Sequence, residues 1–144
     1  MPVATAVWMF VACRHVEQRV LDHLRAGGFD DLTLAQGRIA ARLRDQGMRL
    51  TELAAAAQVT KQSAGFLVDQ LERAGYVERR PDPTDARARL VVLAERGRHA
   101  QARAREVEEV VEAEWETHLG ADRMAALREA LVDLRALTDP WADT

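Results

Sequence analysis

Residues 51–93, TELAAAAQVTKQSAGFLVDQLERAGYVERRPDPTDARARLVVL, constrain the fold more than any other stretch of this chain. Thr51 ahead of Glu52-Leu53-Ala54 is an N-cap pattern that opens a short Ala-rich helix. Gln58-Val59 makes a turn, Thr60 caps a second helix over 61–74, and Gly75 stops it. Tyr76-Val77-Glu78-Arg79-Arg80 then alternates like a strand, and Arg89-Leu90-Val91-Val92-Leu93 returns as its partner. Between them, Pro81-Asp82-Pro83-Thr84-Asp85-Ala86 carries turn chemistry: the prolines fix φ and the Asp side chains bond nearby backbone. Two short helices joined tightly and followed by a hairpin read as a winged helix-turn-helix. Such a module places its second helix in a DNA major groove while the hairpin reaches the neighbouring minor groove.

The flanking segments are helical. Met9, Cys13, Val16, Val20 and Leu24 form a stripe along residues 6–25, which Gly27-Gly28 ends. Thr33 is positioned to cap a helix reaching about Asp45, with Leu34, Ile39, Ala40 and Leu43 inward. Met48-Arg49-Leu50 is too short for a free strand but can add an edge to the hairpin. A helix from Glu95 to about His118 would be roughly 36 Å long at 1.5 Å per residue. Its stripe is Ala100, Ala104, Val107, Val111 and Trp115, extended by His118. After Gly120, Met124, Leu127, Leu131, Leu134 and Leu137 recur three and four apart, the spacing of a helix-pairing seam, until Pro140. The expected fold is mainly α with a small β-hairpin wing, an α+β chain of one domain over 1–144. An aromatic content of 5% and the abundance of Ala and Leu agree with it.

The formal net charge of -3 argues against nucleic acid at first sight, but its distribution does not. Residues 49–105 hold eleven Lys/Arg against seven Asp/Glu, or +4; residues 106–144 hold three against eleven, or -8. A basic middle beside an acidic tail suits a protein of which only one face meets phosphate. A solvated mixture of charges is the alternative. Cys13 is the only cysteine, so no disulfide forms within one chain, and a cytoplasmic location is expected. The opening MPVATAVWMFVAC is too short to span a bilayer, and no Lys or Arg precedes its apolar run as a signal peptide requires. The small residue before Cys13 hints at a lipoprotein cleavage site, but the basic segment such a site needs is missing. No membrane association is expected.

The chemistry-bearing residues lie in the winged module. Leu53, Ala54, Val59, Ala64, Leu67, Val68 and Leu71 can make the inner face where its two helices cross. Lys61, Gln62 and Ser63 occupy the first turn of the second helix, where base edges are reached. Lys can donate to guanine, Gln can bond adenine through two hydrogen bonds, and Ser63 suits base or phosphate. Thr60 and the positive helix end suit phosphate. An ordinary helical hairpin with a polar face is the plainer reading, against which the hairpin arginines count. In the wing, Arg87 is the expected minor-groove residue, because a narrow groove focuses negative potential on an inserted Arg. Asp85 could orient its guanidinium by a charge-assisted hydrogen bond. Arg89 lies on the same side and can meet phosphate; Arg79, Arg80 and Arg89 can equally be solvated.

These residues resemble the MarR family, bacterial regulators related to the multiple-antibiotic-resistance repressor. The resemblance is strongest over residues 61–97, where LVDQLERAGYVER is followed by DPTDAR. It implies a homodimer built from helices at 1–28 and 95–140, with a winged helix-turn-helix at 33–93 in each subunit. It implies a pseudo-palindromic double-stranded DNA operator, usually under repression, with contacts at Lys61, Gln62, Ser63 and their outward neighbours and at Asp85 and Arg87. Departures are Ala86 where many relatives carry Arg, Gly65-Phe66 where many carry Thr-Arg, and Ala94 where Thr is usual. Phe66 can touch a thymine methyl, or it can be packing. Ala94 removes a cap hydroxyl, a loss of about 1 kcal/mol.

What such a regulator senses is less legible. Relatives that sense peroxide use a first-helix Cys, but Cys13 lies about two turns too late and the only tyrosine is Tyr76. A buried structural Cys13 is expected, with a thiol-based redox sensor as the alternative. His15, His23, His99 and His118 are scattered, so no metal or other cofactor is expected. The resemblance leaves room for a small apolar or aromatic effector between the pairing helices and the winged module. No Ser-His-Asp arrangement, phosphate-cradling Gly loop or metal spacing supports an enzyme. A winged module serving protein contacts without DNA is the remaining alternative.

Overall fold

The computed structural model describes residues 1–139. Helix α1 spans Thr5–Ala26, α2 Leu34–Ala40, α3 Leu50–Ala56 and α4 Lys61–Arg73; strands β1 Val77–Asp82 and β2 Asp85–Leu93 follow, then α5 Glu95–Leu119 and α6 Ala121–Thr138. The mainly helical winged fold expected from sequence is present. The Pro140 stop lies outside the described residues.

Three boundaries differ from the sequence reading, and one pairing explains two of them. Met48 and Val91 exchange both backbone hydrogen bonds, at 3.0 and 2.8 Å, as an isolated antiparallel bridge. To reach it, the chain must leave α2 early. Thr33 and Gln36 form a full capping box at its start, but after Ala40 the backbone tightens into turns, and Gly47 at φ +89° redirects it. The helix therefore ends at Ala40 rather than near Asp45. The same bridge holds Arg49 extended, so Arg49 rather than Thr51 is the N-cap of α3, with no side-chain cap. The third difference is the hairpin. Both strands run into the segment read as a turn, pairing Pro81 with Arg89 and Asp82 with Asp85 across an irregularity. Only Pro83 and Thr84 are left as the tip.

The core of the winged module is Ile39, Met48, Leu53, Ala64, Val68, Leu71, Tyr76, Val77 and Val91, all essentially inaccessible. Gln58 takes φ +56° in the turn between α3 and α4. Helix α5 lies along α1 and buries Val107 and Val111. Arg19 pairs with Glu114, His23 lies 3.1 Å from Glu106, and Arg103 Nε donates to the His23 carbonyl at 3.0 Å. In contrast, Val7, Trp8, Phe10 and Val11 of α1 are exposed, as are Leu127, Leu131, Val132, Leu134 and Leu137 of α6. Met124 alone of the α6 stripe is buried within the chain. No helix among the described residues is long and apolar enough to cross a membrane.

Candidate nucleic-acid interface

Helix α4 owes its position to its apolar side. Ala64, Val68 and Leu71 are buried, and Gln36 Nε2 donates to Gln70 Oε1 at 3.0 Å, tying α2 to α4. The opposite face is open. Lys61, Gln62 and Ser63 are all exposed in the first turn. The Thr60 hydroxyl accepts from the Ser63 backbone N–H at 3.0 Å and lies 2.9 Å from Ser63 Oγ. Thr60 is thereby committed to the cap, whereas Ser63 keeps capacity toward a ligand. Phe66 projects 61% exposed one turn further on, an aromatic surface flanked by polar donors. Gly65 lies over Leu50, whose Cδ2 would be 3.6 Å from an added Cβ.

The far end of that face is acidic and is neutralised internally. Arg79 of β1 reaches Asp69 at 2.7 Å and Glu72 at 2.9 Å. Arg80 is paired with Glu78 at 2.8 Å. Arg79 is thereby engaged by two carboxylates, whereas the Arg80 pair is open to solvent on both sides; both differ from the cations that have no ion pair. Lys61, Arg87 and Arg89 are exposed and form no ion pair with the described residues. Arg87 and Arg89, two apart on β2, share one side of the hairpin.

Asp85 does not do what the sequence suggested. Its Oδ1 accepts from the Arg87 backbone N–H at 3.0 Å, and its other oxygen lies 3.9 Å from Arg49, so it shapes the backbone rather than orienting the Arg87 guanidinium. Asp82 is the second unexpected feature. It accepts from the Thr84 N–H at 2.8 Å and hydroxyl at 2.7 Å, and from Arg49 Nε at 2.8 Å. These bonds, those from Thr84 foremost, hold its pKa down at about 2.

A further network joins the module to α5. Arg96 donates to both Asp31 oxygens at 3.0 and 3.1 Å and to the Ala74 carbonyl at 2.6 Å. Its guanidinium lies 4.2 Å from the Tyr76 ring centre. The Tyr76 hydroxyl donates to Asp31, which lowers the Asp31 pKa together with Arg96. Burial and the Asp31 carboxylate push the Tyr76 phenol up. Sequence periodicity cannot reveal this cluster, because Asp31, the Ala74–Tyr76 segment and Arg96 are distant in the chain.

Between α1, α2 and α5 lies a cavity of about 430 Å³, walled by Val16, Val20, Leu34, Tyr76 and Ala104. Its polar edge includes Glu17, whose two oxygens accept from Arg38 at 2.7 and 2.9 Å. That pairing lowers the Glu17 pKa. Cys13 also lines this space and is exposed within one chain, contrary to the buried thiol expected. No group of three potential metal ligands occurs among the described residues.

Residues 30–88 match the model of the MarR family. A search of curated proteins found no match. Among solved structures, transcriptional regulator Tm0710 from Thermotoga maritima is 26% identical at TM-score 0.61, with 92% of each chain covered. Wild-type MarR from E. coli in its apo form is 22% identical at TM-score 0.70, covering 93% of this chain and 98% of that one. A point mutant of S. aureus MepR, bound to an oligodeoxyribonucleotide, is 18% identical at TM-score 0.59, covering 96% and 100%. The last two likenesses concern the fold. The winged module thus matches the MarR family over residues 30–88, and the architecture shared with these solved structures continues through the long helices.

Proposed function

We propose that this chain is a homodimeric repressor that binds a pseudo-palindromic site on double-stranded DNA and is released by a small ligand. The observation that carries the reading is the division of its cations. Arg79 and Arg80 are paired, whereas Lys61, Arg87 and Arg89 stand exposed with no ion pair to the described residues. Lys61, Gln62 and Ser63 would read base edges, with Phe66 against a thymine methyl. Thr60 and Asp85 would support them through the helix cap and the wing backbone. Arg87 would enter the minor groove and Arg89 would meet phosphate. The oligonucleotide bound to MepR, a protein of the same fold, supports this use of the module.

Pairing would cover the exposed apolar sides of α1 and α6, setting half-sites about 34 Å apart. The 430 Å³ cavity is within the size range of small-molecule sites and touches both α5 and the winged module. A ligand there would favour a spacing of the two recognition helices that DNA rejects. Footprinting on the promoter beside the coding region tests the reading, with a two-fold symmetric protected stretch expected. In titrations of that site, Arg87→Ala lowers affinity by about 1–3 kcal/mol at fixed salt. Unchanged affinity would remove the minor-groove role, and no salt-dependent binding by the unaltered protein would remove DNA binding itself.

A further inference from the structure

Arg79 clamps the base of the wing to α4, and Arg49, which has no part in the proposed DNA contacts, fastens its outer half to the start of α3. Arg49 sits at the N-cap of α3 but does not cap it. Its guanidinium turns to the hairpin instead, with Nε and a terminal nitrogen both 2.8 Å from Asp82 Oδ2 and the latter 3.9 Å from Asp85. Asp82 is 7% exposed, and its remaining oxygen is taken by Thr84. The Asp85 carboxylate bridges onward, holding the Arg87 backbone N–H at 3.0 Å. One line of hydrogen bonds and charge thus runs from the start of α3, through the irregularity at Pro81/Asp82, to the backbone of Arg87.

A two-stranded hairpin is marginal by itself. Here its base is anchored by the Met48–Val91 bridge and by buried Val77 and Val91, whereas the outer half, from Arg80 to Ala88, has an exposed or half-buried surface except at Asp82. The Arg49–Asp82 contact is what ties that outer half to the helix-turn-helix. We propose that Arg49 is a positioning residue for DNA binding: it holds the wing at the angle that delivers Arg87 to the duplex and does not itself bind phosphate. Planar guanidinium geometry suits this role, since two donors converge on one fixed carboxylate. The proposal rests on the DNA-binding reading of the module.

The test is a double-mutant cycle on the footprinted site, with Arg49→Ala, Arg49→Lys, Arg87→Ala and the Arg49→Ala/Arg87→Ala pair. Arg49→Ala is expected to weaken binding about fivefold alone and by less than twofold when Arg87 is already Ala, the non-additivity of two residues acting through one contact. Arg49→Lys, which keeps the charge but loses the fork, is expected to behave like Ala, and the salt slope of Arg49→Ala is expected to match the unaltered protein. A direct phosphate contact would instead give additive losses, rescue by Lys and a salt slope lower by about one; that outcome overturns the proposal. A DNA-independent readout separates its failure from failure of the function. With a nitroxide on Pro83→Cys in a Cys13→Ser background, Arg49→Ala should make the wing tip measurably more mobile. An unchanged spectrum also overturns the proposal, even if no duplex is ever bound.

Discussion

Gly97 lies where α5 starts beneath the hairpin, and an added Cβ there would stand 2.1 Å from the Tyr76 carbonyl oxygen. That oxygen already accepts the Ala94 N–H at 2.9 Å, so the clash falls on a backbone that joins β1 to α5. Gly97→Ala is expected to destabilise the fold by about 3 kcal/mol, at the upper end for overpacking. Gly65 is the useful contrast. It sits inside α4 with ordinary van der Waals room for a methyl, so Gly65→Ala is expected to stabilise by up to about 1 kcal/mol through helix propensity. Urea denaturation of both variants checks the pair, and equal effects would refute the close approach at Gly97. A lone Gly in sequence does not disclose which of these two reasons placed it.

Among the elements, the wing holds the buried carboxylate Asp82. The Asp82 pKa is held at about 2, below its ordinary 3.8, by Thr84 and then Arg49. A lowered carboxylate pKa means the ionised form is favoured in the folded chain. Its stabilisation is present above about pH 4 and is lost as pH falls toward 2. Asp82→Asn is therefore expected to lower the melting temperature at pH 6, with the difference from the unaltered protein shrinking steadily between pH 4 and pH 2. A pH-independent difference would show that Asp82 acts by shape rather than charge. The hairpin was legible as a hairpin because of its alternation and its prolines. Its true length was not, because pairing of Asp82 with Asp85 depends on the tip bonds to Thr84. The Arg79 clamp on α4 was likewise hidden: it joins residues ten and seven apart across a strand and a helix.

At the scale of the whole molecule, two long helices carry apolar residues that one chain leaves uncovered. Trp8 is 61% exposed on α1, and Leu131 and Val132 are 40% and 61% exposed on α6. Pairing of two copies over this surface is the expected state. Leu131→Glu should shift sedimentation from dimer to monomer and weaken operator binding, while helical content stays near that of the unaltered protein because the residue is already exposed within one chain. A monomeric unaltered protein, or a Leu131→Glu variant still paired at the same concentration, would count against α6 as the seam.

Local sequence was sufficient for the order of elements, since helix caps, glycine stops and strand alternation act over a few residues. Thr33, Thr60, Gly75 and the Arg89–Leu93 return strand all lie where short-range chemistry put them. It was also sufficient to name the exposed first turn of α4 and the arginines of the hairpin. Which arginines remain unpaired, which carboxylate holds the wing, and where α2 stops were decided only by the tertiary fold. Each depends on partners brought from other segments: Arg79 on Asp69, Asp82 on Arg49, and Met48 on Val91. Charge pairing and strand bridging act through space, and a linear pattern of residue types records no such distance.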